Sequence, residues 1–367
     1  MTLRFLALAL FAAALSGCST IAGEVLHGSR DRFNETAQLT NAEQLLRNLV
    51  RLRYAESPYF LEISSVSTSA TMAGSLGVLG NTVGAVPGLD PNIGFNPALS
   101  YSQTPSFVFQ PLTGEKFGRQ LLRPVELRTL ALLRTAGWDL RDILLVMVDS
   151  INGIPNAPSA TQFAPVVVPD NRQFRRVVDL IDRLEDGGFV QLGLEANAAA
   201  PPGGDIVLSL QIEKSAAARE EVQDLTRLLG LDPNNLTYRL AAAATGGGGQ
   251  TIVVKPRSVL AAMRFLSKGI AVTQDDVLTG RVPMPRDAGG RPIDDWQGVL
   301  DGVFRVQTSG TPPSTAYVSV RHDGRWYWLE RSDLASKQAF ALLETAFALQ
   351  GGDVPPISTV LTLPIAR

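Results

Sequence analysis

Few residues in this chain stand at spacings that do chemistry. Two adjacent acidic pairs, Asp275-Asp276 and Asp294-Asp295, are the first candidates. Neighbouring carboxylates can share a divalent cation, or split into a general acid and a general base once their environments separate their pKa values. Neither pair has further ligands nearby in the sequence, so each reads first as a solvated flank of a loop. The histidines are only His27 and His322, which removes most metal centres and most imidazole-based proton transfer. Gly246-Gly247-Gly248-Gly249 lacks the Lys-Ser/Thr that completes a phosphate loop, and it reads as a turn. Thr113-Gly114-Glu115-Lys116 reads as a capping turn. There is no Gly-x-Ser-x-Gly elbow, and no Ser-x-x-Lys spacing at Lys116, Lys214, Lys255, Lys268 or Lys337. Trp326-Tyr327-Trp328 beside Tyr317 could form an aromatic platform for glycan or peptide. Strand alternation would turn Trp326 and Trp328 one way and Tyr327 the other, which favours packing. No catalytic, cofactor-binding or metal-ligating residue is therefore assigned, and no cofactor is expected.

One residue keeps a definite chemistry. Cys18 is the single cysteine, and it closes the stretch Leu15-Ser16-Gly17-Cys18. Residues 1–17 have the parts of an export signal: Arg4 in the leading region, an apolar run from Phe5 to Leu15, then small residues. The run falls short of the roughly 20 apolar residues that span a bilayer as a helix. An ordinary secretory signal cut near Gly17 would leave one unpaired thiol in an oxidising compartment. The tetrapeptide resembles the bacterial lipobox. That resemblance implies a thioether-linked diacylglycerol on Cys18, cleavage before it, and acylation of the new amino terminus. Two or more acyl chains give a stable anchor, since each buried methylene contributes about 0.8 kcal/mol. Ser19, rather than an aspartate, follows the cysteine. By the sorting pattern of such proteins this implies the outer membrane, with the body expected to face the periplasm.

Composition narrows the class. Hydrophobic residues make up 45% and charged residues 19%, as in folded globular chains rather than disordered ones. A net charge of −2 gives no whole-molecule case for nucleic acid. With Cys18 lipidated, no intrachain disulfide is available and the fold must rest on its cores.

The elements read as follows. Residues 18–40 form a polar linker. Asn41 to Tyr54 is a helix capped by Asn41, with Leu45, Leu49 and Leu52 on its apolar face. Arg47, Arg51 and Arg53 are placed largely on the other side, as a solvated face or a contact for anionic head groups. Segment 59–110 is the most unusual. Phe60 to Leu79 and Asn92 to Gln110 both alternate with period two, around a Gly/Asn/Pro-rich tip from Gly80 to Pro91. Ile93, Phe95, Leu99 and Tyr101 share one parity, while small polar residues hold the other. Two such strands make a long hairpin with one apolar face. This is the dyad pattern of a membrane barrel strand, although a single hairpin cannot cross lipid with open edges. The alternatives are a hairpin packed on its own domain, a ring of protomers each giving two strands, or a loop without fixed strands. Pro97 and Pro105 suit an edge or bulged strand.

Beyond the hairpin, Leu112 to Gly153 reads as a layer of short helices, completing a region 41–154. Pro155 to Pro169 reads as a linker. Segment 170–255 follows as helix, two strands, helix, two strands. Segment 256–367 adds a helix from Arg257, a polar loop over Arg281 to Gln297, and three strands. His322-Asp323-Gly324 turns the last two of those strands. A long helix capped by Ser332 and a final strand over Ile357 to Leu363 end the chain. The expected class is α+β: a helical layer with a long β-hairpin, then sandwich-like regions with mostly antiparallel strands.

Ala42-Glu43-Gln44-Leu45-Leu46-Arg47-Asn48-Leu49-Val50-Arg51-Leu52-Arg53-Tyr54, running into Phe60-Leu61-Glu62-Ile63-Ser64-Ser65-Val66, is one of two segments that carry a wider likeness. The other is Pro111-Leu112-Thr113-Gly114-Glu115-Lys116-Phe117 with Asp149-Ser150-Ile151-Asn152-Gly153. Together with Ser332 to Leu349 they resemble a family of uncharacterised Gram-negative envelope lipoproteins. The resemblance implies a lipoprotein and brings no activity, ligand or catalytic residue. The expected function is a non-catalytic, lipid-anchored outer-membrane protein with a structural or partner-binding role. The membrane is met through acylated Cys18, and the protein partners are left open. One alternative is a homo-oligomer whose 59–110 hairpins form a pore or export collar, with Ile93, Phe95, Leu99 and Tyr101 as membrane or oligomer contacts. A second alternative is an envelope hydrolase using Asp/Glu chemistry.

Overall fold

The computed structural model describes residues 31, 33–80, 93–158, 160–162, 170–195, 205–210, 216–242, 247–293 and 296–351. Cys18, the signal segment, the hairpin tip, Asp294-Asp295 and the strand expected over Ile357 to Leu363 lie outside them. The chain is an α+β protein with mixed sheets and antiparallel hairpins. Its described residues fall into two compact units, 59–116 and the remainder. Among the described residues, no helix is long and apolar enough to cross a membrane.

Helix α1 spans 33–53. It starts well before Asn41, so the linker expected over 18–40 is helical at its end. Once the buried turns from Ala42 onward exist, adding exposed turns upstream costs little. Leu45, Leu46, Leu49, Val50 and Leu52 are buried. The helix stops at a left-handed Ala55 (φ 60°), where Glu56 N–H returns to the Arg51 carbonyl at 2.8 Å.

The unit 59–116 is built on a two-stranded antiparallel ribbon of β1 (Leu61–Gly80) and β2 (Ile93–Pro111). Pairing runs from Leu61↔Pro111 to Gly80↔Ile93, with one irregularity between Ile63 and Ser65. The register sets Val66 opposite Phe107, Met72 opposite Tyr101, Gly74 opposite Leu99 and Val78 opposite Phe95. These positions therefore share one face, and Ser67–Ser106, Ser69–Thr104 and Thr71–Ser102 share the other. Among the described residues each strand pairs only with the other, so Pro97 and Pro105 sit in an edge strand, where proline is tolerated.

The second unit resumes after β2. A short α2 (Gly114–Phe117), which bridges the unit boundary, runs into a π-turn over Gly118–Leu122, followed by α3 (Leu127–Thr135) and α4 (Leu140–Met147). The helical reading of Leu112 to Gly153 fails at its end. Val148–Ile151 is strand β3, and Ile154–Pro155 pairs with it as β4. A β-branched residue and a turn with left-handed Asn152 (φ 46°) and Gly153 (φ 81°) override the helical stripe there. Then come α5 (Arg172–Asp186), β5 (Val190–Glu195), β6 (Asp205–Leu210), α6 (Ala216–Leu229), β7 (Thr237–Ala242) and β8 (Thr251–Pro256).

These strands form one six-stranded sheet in the order β4-β3-β8-β7-β6-β5. Its pairs are antiparallel except β7–β8, which is parallel in a region expected to be mostly antiparallel. Since β3 pairs with β8, the segment 155–169 does not separate two compact domains. Asn156 and Ala160 within it are buried. Helix α5 lays Phe174, Val177, Val178, Ile181 and Leu184 into the core, each worth about 1.5–3 kcal/mol of burial.

Arg257 locks this region from inside. It is 2% exposed and donates to the carbonyls of Leu145 (3.1 Å), Val146 (3.0 Å) and Asn156 (2.7 Å). Its guanidinium lies 3.9 Å from the Phe265 ring centre. Burial pulls its pKa down to about 10, with Asp149 opposing.

Helix α7 (Val259–Ser267) follows, capped by Ser258 and buried on most sides. Then come α8 (Gln274–Leu278), α9 (Trp296–Leu300), β9 (Gln307–Ser309), β10 (Ala316–His322), β11 (Arg325–Glu330) and α10 (Leu334–Gln350). Strands β10, β11 and β9 make a three-stranded antiparallel sheet in that order. Asp323 (φ 46°) and Gly324 (φ 80°) supply the tight turn. Helix α10 is capped by Asp333, not Ser332: the Asp333 carboxylate accepts from Ser336 N–H at 3.1 Å. The loop expected over Arg281 to Gln297 is not merely superficial, since Val282 and Trp296 are buried.

Candidate functional site

The densest polar network joins the end of α1, the start of α8 and the β10–β11 hairpin. Tyr54 follows the last turn of α1. Its hydroxyl donates to Asp276 Oδ2 at 2.9 Å and lies 2.7 Å from the Tyr327 hydroxyl. A phenol carries one proton. Because Tyr54 gives its proton to the carboxylate, Tyr327 must donate to the Tyr54 oxygen. Thr273, the cap of α8, donates to Asp276 Oδ2 at 2.6 Å. Arg281 donates from Nη1 to Asp276 Oδ1 at 2.9 Å and pairs through Nη2 with Asp323. Tyr327 is 1% exposed and Asp276 4%, so the centre of this network is buried, while Arg281 and Asp323 close it from the solvent side.

The electrostatics follow from that placement. Burial, then Tyr327 and Asp276, push the Tyr54 phenol far above its ordinary value. Burial alone would raise the Asp276 carboxyl. Hydrogen bonds from Thr273 and Tyr54 and the charge of Arg281 instead hold it below the usual carboxylate range. A carboxylate with three donors and a depressed pKa is a poor general base. The arrangement therefore works as a tie between three elements.

His322 completes the rim. Its ring centre lies 5.7 Å from that of Tyr54 and 6.5 Å from that of Tyr327. His322 Nε2 is 3.2 Å from Glu56 Oε1, but the approach is off the direction of a hydrogen bond. Among the described residues, Glu56, His322 and Asp323 bring ligand atoms within 4.8 Å of one another. Arg51 already holds Glu56 through Oε2 at 3.4 Å and Arg281 holds Asp323 through Oδ2, so a divalent cation there would compete with two arginines.

One residue before Tyr54, Arg53 lines a separate cavity of about 480 Å³. Its walls come from the loop after α7 (Lys268 to Val272), the turn after α9 (Leu300 to Arg305) and the start of α10 (Asp333 to Ser336). Arg53 and Lys268 are 1% and 4% exposed.

The residues singled out in the sequence divide accordingly. Asp276 enters the network while Asp275 is exposed. Tyr327 enters it, while Trp326 and Trp328 are half-buried on the other strand face. Ile93, Phe95, Leu99 and Tyr101 lie in register along β2, far in sequence from these groups. Arg53 corrects the reading of a solvated arginine face. It stands four residues after Leu49 and seven after Leu46, on the buried stripe, and that spacing was visible in the sequence. Lys268, Arg281 and His322 had no local signal, because their partners lie on other elements. No family profile, curated protein or solved structure matches the chain.

Proposed function

We propose that this is a lipid-anchored, non-catalytic outer-membrane lipoprotein that meets its partners through the 59–116 unit. The observation that carries the reading is the β1–β2 ribbon, whose strands pair only with each other among the described residues. A two-stranded ribbon is marginal in water, and two open edges present rows of unsatisfied backbone groups. Val108 and Phe109, near its base, are 52% and 50% exposed. Such a surface gains most by pairing with another chain. Anchoring rests on Cys18 and its lipobox. The non-catalytic half is supported by the Tyr54–Asp276–Arg281 network, whose polar atoms are spent on one another. A turnover abolished by Asp276→Asn in a folded protein would overturn that half.

A second reading has its own support. The register aligns Ile93, Phe95, Leu99 and Tyr101 on one face opposite Val78, Met72 and their neighbours. Ribbons from several copies, placed edge to edge, would form a closed collar with no free edge. The deciding measurement is the mass of the detergent-extracted, acylated protein beside its Cys18→Ser form. A ring confined to the acylated form supports the collar. Leu99→Arg and Tyr101→Arg should then dissolve it. A monomer in both forms, with no partner on the ribbon edges, would overturn both readings of the ribbon.

A further inference from the structure

The cavity beside the polar network has an unusual charge arrangement. Lys268 lies just past the last turn of α7, its N–H bonded to the Phe265 carbonyl at 3.2 Å. Its side chain is 4% exposed, and among the described residues its ammonium has no hydrogen bond or ion pair. What it meets is the Trp296 ring, 5.7 Å away, and two like charges, Arg53 and Arg264. Of these cations, Arg53 lines the same cavity.

The carboxylates of the cavity do not offset this. Asp333 is committed to the first turn of α10, accepting from Ser336 N–H and from Ser336 Oγ at 2.7 Å. Asp301 is exposed at the mouth, as is Arg305. A buried ammonium that meets like charges and has no counter-charge of its own, as Lys268 does, is expensive to keep in a folded core. Part of the wall is apolar, with Ile270, Val303 and Phe304 packed behind it at no more than 3% exposure. The volume, about 480 Å³, suits an organic molecule rather than a bare ion.

We propose that this cavity binds a small organic anion, a carboxylate or a phosphate ester. Its oxyanion sits between Lys268 and Arg53, and its apolar body lies on Ile270, Val303 and Phe304. The anion supplies the charge that the protein withholds from Lys268. The site is independent of the ribbon and of the anchor, so it stands or falls apart from them.

The pH dependence follows from the same groups. Burial, then Arg53 and Arg264, pull the Lys268 ammonium down to about 7. Arg305 adds positive charge, and Asp301 and Asp333 negative charge, from the facing elements. An oxyanion favours the charged amine, so binding takes up a proton near neutral pH. Affinity should be greatest below pH 7 and fall by up to about tenfold per pH unit above it.

The test uses full-length protein in detergent, titrated calorimetrically with phenyl phosphate, benzoate and inorganic phosphate at pH 6.5 and 8. At least one aryl anion should bind, weaker at pH 8, and whichever binds tenfold more tightly names the head group. Binding of inorganic phosphate alone would contradict the apolar half of the site. Lys268→Met keeps the buried stem, and should lose at least tenfold in affinity together with the pH dependence. Lys337→Met, on α10 outside the cavity, should lose neither. On the wild-type chain, the bound anion should slow reductive methylation of Lys268 at least fivefold and leave Lys337 unchanged. No binding, binding unaltered by Lys268→Met, or no protection of Lys268 would each overturn the proposal.

Discussion

Tyr54→Phe is the sharpest probe of the fold. It deletes one oxygen and changes no packing volume. The oxygen gives a hydrogen bond to Asp276 at 2.9 Å and receives one from Tyr327 at 2.7 Å. A hydrogen bond to a charged group is worth about 1.5–3 kcal/mol, and a stranded buried hydroxyl costs about 1–3 kcal/mol. Asp276 keeps Thr273 and Arg281, so the loss should sit near the lower ends, about 2–3 kcal/mol in all. Tyr327→Phe removes only the donor to Tyr54 and should cost about 1 kcal/mol. The double variant should cost little more than Tyr54→Phe alone, because Tyr327 then strands no hydroxyl. The coupling between the two sites should therefore be about 1 kcal/mol. Urea unfolding of the soluble Cys18→Ser form, followed by tryptophan fluorescence, measures all four corners of the cycle. The network also sets an acid limit. Asp276 has a lowered folded pKa, so its contribution is fully present above the unfolded carboxylate value. It disappears as pH falls through the lower folded value. Were Tyr54→Phe within 0.5 kcal/mol of wild type, or the two losses simply additive, the hydrogen-bonded tie would not exist as described.

Two further outcomes follow from buried charges. Burial pushes the Glu344 carboxyl on α10 up to about 7. A folded pKa above the unfolded value makes stability fall as pH rises from about 4.5 to 7, so Glu344→Gln should stabilise the protein at pH 8, by about 2 kcal/mol once solvent screening of the half-buried carboxyl is allowed for. It should change nothing at pH 4, and thermal melts at both pH values would check this. Arg257→Met should remove the charged donor to three buried carbonyls, of which Leu145 keeps Asn156 Nδ2, and cost about 3–5 kcal/mol. Arg257→Lys should recover little of it, since one ammonium cannot reproduce the planar fork, and urea midpoints would show the difference.

Much of this architecture was legible from local pattern. Period-two alternation marked both ribbon strands nearly to the residue, because a pleated strand imposes its period on every side chain. Helix α5 was legible for the corresponding reason at period 3.6. The Asp-Gly turn after His322 announced its hairpin, because positive φ at both central positions restricts the residue types. The misreadings share a different cause. Val148 to Ile151 continues the apolar stripe of α4, and only its pairing with β8 makes it a strand. Asp333 rather than Ser332 caps α10, because Ser336 is placed to donate to it while its own hydroxyl accepts from Arg305 N–H at 2.8 Å.

The sequence alone determined the class, the ribbon with its two faces and the amphipathic helices, and the proposed anchoring rests on the Leu15–Cys18 stretch alone. These depend on residues close together in the chain. The tertiary structure alone decided that Tyr54 meets Asp276 and Tyr327 across 222 and 273 positions. It also decided that β3 and β8 share a sheet, and that Arg53 and Lys268 face one cavity. Periodicity says which side of an element is buried, but not which partner it is buried against. A charge on an apolar stripe acquires its chemistry only when the fold supplies, or withholds, its counter-charge.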